Sequence, residues 1–214
     1  MNMKWFSRII IALALAMSLY FYGQMPATMA THWGANGEVN GYSSTLFGLM
    51  IIPVMMAAMY ALFSVLSNVD PMRKNIDKFR NYFDFFIVIM MGFFFYVQMI
   101  MIAWNLGYRF DISIAIVPAM AVLFYFAGVL TERSKRNWFI GLKTPWTMSS
   151  DVVWEKSNKL AGRLFKACGI VSLLSLLIVP KYTLMIIIVM AIFASVYPII
   201  YSYYEYKKIV KKKR

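Results

Sequence analysis

Few side chains in this sequence can do chemistry, and they lie far apart. There is one histidine, His32, and one cysteine, Cys168. A zinc site needs three or four ligands. His32 with nearby Glu38 supplies two, so no metal site is expected. A lone cysteine excludes an internal disulfide. No Ser-His-Asp set, no paired carboxylates in an apolar pocket and no ligand cluster can be assembled, which argues against an enzyme and against a bound cofactor. What remains is recognition chemistry in two polar stretches. Residues 25–45 carry His32, Trp33, Glu38, Asn40 and Tyr42. Asn36-Gly37 and Asn40-Gly41 both favour tight turns, because both residue types tolerate positive φ. Two such turns predict a compact, ordered knob with an aromatic and polar surface. Residues 137–162 carry Asn137, Gly141, Lys143, Thr144, Pro145, Trp146, Thr147 and Trp154. Thr144 precedes a proline and is expected to be extended. Ser149, Ser150 and Asp151 are good helix starters.

The elements that must position these stretches are apolar. Of the 214 residues, 61% are hydrophobic, and the mean hydropathy is +0.64. A soluble domain of this length does not carry so much apolar surface. Six apolar runs stand out, at 9–22, 46–66, 83–104, 112–130, 164–179 and 184–204. Each is long enough, or nearly so, to cross a hydrocarbon core of about 30 Å as a helix. Helices are expected because lipid cannot satisfy exposed backbone groups. The fold class is therefore all-α: a polytopic membrane protein with six transmembrane helices. Lys4 and Arg8 before the first run resemble a signal peptide. Thr28-Met29-Ala30 is a poor cleavage site, so the run reads as an uncleaved span.

The net charge of +13 could suggest a nucleic-acid partner. The basic residues instead flank apolar runs, and no folded reader domain is present, so no direct nucleic-acid contact is expected. Arg73, Lys74, Lys78 and Arg80 lie between runs two and three. Seven more lysines and arginines lie between runs four and five, and six in the tail at 205–214. The opposite side shows only Arg109 and Lys181. The positive-inside rule then places both termini, and a motif loop at 131–162, in the cytoplasm. The chain divides at 67/68 into two helices with their outer loop and four helices with the motif loop and tail.

Within the runs, Gln98 is expected to make an interhelical hydrogen bond. Asn105 lies near the outer end, and Asp84 is placed to pair with Arg80 one turn away. Pro53, Pro118 and Pro198 permit kinks. Gly92, Gly128 and Gly169 permit close helix contacts. The amphipathic start of the fifth helix could lie on the inner membrane surface, with Trp138 and Trp146 bracketing the 141–145 turn at the interface. Lys143 is a candidate contact for an anionic lipid headgroup or an acidic partner.

Two motifs carry a family resemblance. Met25, Pro26, His32, Trp33, Gly37, Glu38, Asn40 and Gly41 resemble the DUF1648 pattern. Asn137, Ile140, Gly141, Leu142, Thr144, Pro145, Trp146, Thr147, Met148, Trp154 and Gly162 resemble the signature of the SdpI family. Lys143 stands where that family usually has arginine, which keeps the charge but loses the bidentate fork. The resemblance implies a bacteriocin-type immunity and signalling protein of the cell membrane. In that reading His32, Trp33, Glu38, Asn40 and Tyr42 contact an extracellular toxin peptide. Asn137, Gly141, Lys143, Thr144, Pro145, Trp146, Thr147 and Trp154 dock a cytoplasmic repressor protein. A small permease or exporter of a peptide or lipid is the alternative.

Overall fold

The computed structural model describes residues 3–34 and 37–212. Among the described residues six helices are long and apolar enough to cross a membrane. They are built from α1 (Met3–Phe21), α2 (Thr45–Val69), α4 (Arg80–Asn105), α5 with α6 (Ile112–Ala115 and Val117–Arg133), α8 (Asp151–Ile178) and α9 (Thr183–Lys212). Short α3 (Arg73–Asp77) and α7 (Pro145–Ser149) lie in the connections, and strands β1 (Thr28–Trp33) and β2 (Val39–Ser44) form a hairpin between α1 and α2. Pro53 and Pro198 fall inside α2 and α9, as expected. Pro118 does not kink a continuous helix. The run breaks at Ile116, after a single turn capped by the Asp111 carboxylate, and Pro118 sits in the first turn of α6. There its missing N–H has no intrahelical partner to lose.

The helices gather into two groups. Helices α1, α2 and α4 close around Leu49, Met56, Phe83 and Met91, all buried. Helices α6, α8 and α9 form the second group, and α4 packs on α6 to join them. Glycines make the α6–α8 contact close. A Cβ added at Gly162 would sit 2.6 Å from Gly128 O, and one at Gly169 2.5 Å from Ala121 O. Gly92 plays no such part, since nothing lies within 4 Å of its Cβ position. The outward face is apolar. Leu177 and Ile178 are 80% and 74% exposed, as lipid-facing residues should be.

The spans alternate, so the molecule has two ends. Arg8 Nε donates to Tyr60 Oη at 3.1 Å, which sets the start of α1 beside the end of α2. Thr144 and Ser202 meet at 3.1 Å, which joins the 134–150 loop to the far part of α9. Both described termini and this loop therefore share the motif end. The hairpin, residues 106–111 and the Pro180–Tyr182 turn share the other.

Three local expectations change. Residues 25–45 form a strand pair rather than a knob of two turns. Asn40-Gly41 lies inside β2, where Gly41 pairs with His32 across an irregular register. A Cβ at Gly41 would approach His32 Cβ to 2.8 Å, so glycine serves close packing there and not a turn. One turn remains, with Gly37 at φ +79°. Its expected Asn36 lies outside the described residues, as do Lys213 and Arg214 of the tail. Arg80 pairs with Asp77 at 2.8 Å rather than with Asp84. The helix begun at Ser150 and Asp151 runs on into the fifth span, as expected, but the first amphipathic turns of α8 pack inside the protein rather than along the membrane surface. They bury Val153, Trp154, Ser157, Asn158 and Ala161. Trp138 is exposed, and half-buried Trp146 packs on Tyr203 with ring centroids 5.1 Å apart.

Gly162→Ala should lower the melting temperature in detergent, because overpacking a close helix pair costs about 1–3 kcal/mol. Gly92→Ala is the control and should leave it unchanged.

Candidate functional sites at the two ends

At the hairpin end, β1 and β2 pair antiparallel from Thr28 opposite Ser44 to Trp33 opposite Val39. An isolated two-stranded hairpin is marginal, so this one needs support from the helices. Asn105, the last residue of α4, supplies it. Its Oδ1 accepts from Ala30 N at 2.8 Å, and its Nδ2 donates to Ala30 O at 2.9 Å and to Met101 O at 2.9 Å. The carboxamide thus acts as one more strand residue on the edge of β1. Trp33 turns inward and meets Trp104 edge-on with ring centroids 5.4 Å apart. The Arg109 guanidinium covers the other aromatic partner, 3.8 Å from the Trp104 ring centre, a cation–π arrangement. Ser113 Oγ donates to Gly34 O at 3.3 Å, which holds the turn against α5.

The expected outer residues are therefore sorted. His32, Glu38, Asn40 and Tyr42 are exposed, and His32 Nδ1 donates to Asn40 Oδ1 at 2.5 Å. Trp33 is half-buried and serves packing. Among the described residues no group of three or more His, Cys, Asp or Glu is gathered to hold a metal ion.

At the motif end the loop is built on Asn137. This residue is fully buried. Its Oδ1 accepts from Phe139 N at 2.9 Å and Ile140 N at 2.6 Å, and its Nδ2 donates to Lys135 O at 2.7 Å and Ile140 O at 2.8 Å. Both donors and both acceptor positions of the carboxamide are then used. Gly141 follows at φ +101°, a conformation that favours glycine. A Cβ there would also sit 2.6 Å from Asn158 Oδ1. Asn158 Oδ1 accepts from Leu142 N at 2.7 Å, which ties the loop to α8. Thr144 is extended, at φ −131° and ψ 162°, and forms a capping box with Thr147 around Pro145, the first residue of α7. Buried Trp154 donates its indole N–H to Ser134 O at 3.1 Å.

Of the expected docking residues Lys143 and Pro145 are exposed, and Gly141 and Trp146 are half-buried. Asn137, Thr144, Thr147 and Trp154 are buried and hold the loop. Trp138 and Phe139, which were not among them, add to the outward surface. Lys143 Nζ donates to Phe139 O at 2.7 Å. Partial desolvation lowers the pKa of this ammonium from the ordinary lysine value, and the nearby Asp70 carboxylate opposes the shift.

Residues that the sequence did not single out complete the ledge. Asp70, 2% exposed, accepts from Trp138 N at 2.9 Å and from Met72 N at 2.6 Å. Asn75 Nδ2 donates to Arg136 O at 2.8 Å. The α2–α4 connection is thereby bound to the motif loop. Buried Glu205 takes Lys156 at 2.7 Å and Lys208 at 2.5 Å, which locks α9 to the start of α8. At mid-span Gln98 donates to Ala14 O at 2.9 Å and to Ser18 Oγ at 2.7 Å, and Ser18 donates on to Leu49 O at 2.7 Å. The expected interhelical role of Gln98 is confirmed. The only sequence signal for Ser18 was a hydroxyl inside an apolar run.

The class defined by this arrangement is a multi-pass helical membrane protein with an ordered surface at each end. Residues 133–202 match the model of the SdpI/YfhL protein family, and residues 9–57 match that of DUF1648, a domain of unknown function. The chain is also 26% identical over 203 residues to the Immunity protein SdpI of Bacillus subtilis (strain 168), with 95% of each chain covered. No solved structure matches. Both matched segments contain the motifs from which the resemblance was read.

Asn105→Leu should release β1 from α4. It leaves the N–H and C=O of Ala30 unpaired, at about 1–3 kcal/mol each. Amide exchange at Ala30 should accelerate by about tenfold or more. Unchanged exchange would show that β2 alone holds the strand.

Proposed function

We propose that this protein is an integral membrane immunity and signal-transduction protein that protects its cell from a secreted toxin peptide. The observation that carries the reading is the end-to-end similarity to a protein named for immunity. The two ordered surfaces support it. With lysines and arginines concentrated at the motif end, the positive-inside rule puts that end in the cytoplasm and the hairpin outside. The hairpin then offers His32, Glu38, Asn40 and Tyr42 to an extracellular peptide, on a backbone already held in place. Such preorganisation reduces the ordering cost of binding. The motif ledge offers Trp138, Phe139 and Lys143 to a cytoplasmic protein, a repressor held at the membrane when toxin is bound.

The physical link runs through two shared elements. Asn105 attaches the hairpin to α4. The connection into α4 carries Asp70 and Asn75, which grip the motif loop. A peptide that shifts the hairpin on α4 therefore acts on an element whose other end adjoins the ledge.

Expression in a toxin-sensitive host tests the reading. The native chain should protect. Replacing residues 31–41 with a Gly-Ser linker should abolish protection, and Tyr42→Ala, which alters an exposed side chain only, should weaken it. Equal protection by both variants, present at native abundance in the membrane, would refute the role of the hairpin.

A further inference from the structure

A cleft of about 410 Å³ lies beneath the hairpin. Its size and apolar lining fall in the range of small-molecule sites. The hairpin closes its top, and its walls come from α2, α4, α5, α6 and α9. The top is polar, with Thr31, His32 and Ser113 at the rim. Below them the walls are aliphatic down to Val97 and Met120. Val97 lies eight residues from Asn105 along α4, about 12 Å at the helical rise. That depth approaches one leaflet, half of a hydrocarbon core of about 30 Å.

Two further observations concern the rim. The indole N–H of Trp33, which lines the cleft, is buried and has no acceptor among the described residues. A buried donor left unpaired is costly, so an acceptor is called for there. Arg109 and Lys181 do not line the cleft but adjoin residues that do. Arg109 is fixed over Trp104, which touches Trp33, and Lys181 lies one turn before the wall residue Leu184.

We propose that this cleft binds one phospholipid, with an acyl chain along the aliphatic wall, an ester carbonyl accepting from Trp33 Nε1, and the phosphate toward Arg109 and Lys181. The length of the cleft fits a chain that ends near the bilayer midplane. The order of its lining, polar above and aliphatic below, follows the order of groups in a lipid. The lipid would then be part of the hairpin's support, filling the space between β1 and the helices. This inference rests on the membrane setting of the six helices and is independent of the immunity reading.

Native mass spectrometry of the whole protein in detergent, with added phosphatidylglycerol, tests it. The native chain should retain one phospholipid through delipidating washes. Ile116→Trp and Val97→Trp, each of which fills the cleft, should remove it. Trp33→Phe keeps an aromatic ring but deletes the donor, and should weaken retention about tenfold, the effect of one hydrogen bond. Circular dichroism and gel filtration identify any variant that fails to fold, and the remaining variants still decide. Equal retention in native and cleft-filled proteins would mean surface lipid only and would overturn the proposal. So would retention that Trp33→Phe leaves unchanged, or recovery of a bound peptide instead of a phospholipid.

Discussion

In hydrocarbon a buried amide has no water to turn to, so its partners must come from the protein. Four carboxamide side chains supply such bonds here, three between elements and one within the motif loop, while Gln98 Oε1 stays without a partner among the described residues. Asn105 docks the hairpin on α4. Gln98 joins α4 to α1 and, through Ser18, to α2 at mid-span. Asn137 folds the motif loop, and Asn158 binds that loop to α8. Apolar packing gathers the helices without setting their depth or rotation against one another. These directional bonds set both.

Small residues do the complementary work. At Gly128, Gly162 and Gly169 the α6 and α8 backbones approach too closely for any side chain. In lipid, where apolar burial gives little preference for one helix neighbour over another, such close contact is a main source of association. The glycine-joined pair forms a firm base for the motif loop, which spans from the end of α6 to the start of α8. The hairpin stands on α4 instead. Both ends of the molecule thus rest on ordered supports, and α4 touches both helix groups. That arrangement suits a protein whose proposed task is to relate events on two faces of a membrane.

Much of this could be read from the sequence. The six spans were legible because hydrocarbon imposes a minimum length of apolar run. The Thr144-Pro145 start of α7 and the Ser150-Asp151 start of α8 were legible because capping chemistry is local. The motif residues were legible as a family pattern, although not the division of labour in which Asn137 and Trp154 hold the loop while Trp138 and Lys143 face outward. The strands of the hairpin were missed. Asn40-Gly41 carries the composition of a turn, and only the approach of His32 shows why glycine is needed inside a strand. Asp70, Asn75 and Glu205 were missed for another reason. Their partners lie 49 to 68 residues away in sequence, and spacing reports only neighbours on one element.

The central claim is that the hairpin and the motif ledge occupy opposite faces of the membrane. Single cysteines at Tyr42 and Trp138 test it directly, since both positions are exposed and the native Cys168 is fully buried. With a membrane-impermeant maleimide on intact cells, Tyr42→Cys should label at once, and Trp138→Cys only after the membrane is opened. Labelling of both positions in intact cells would contradict the account.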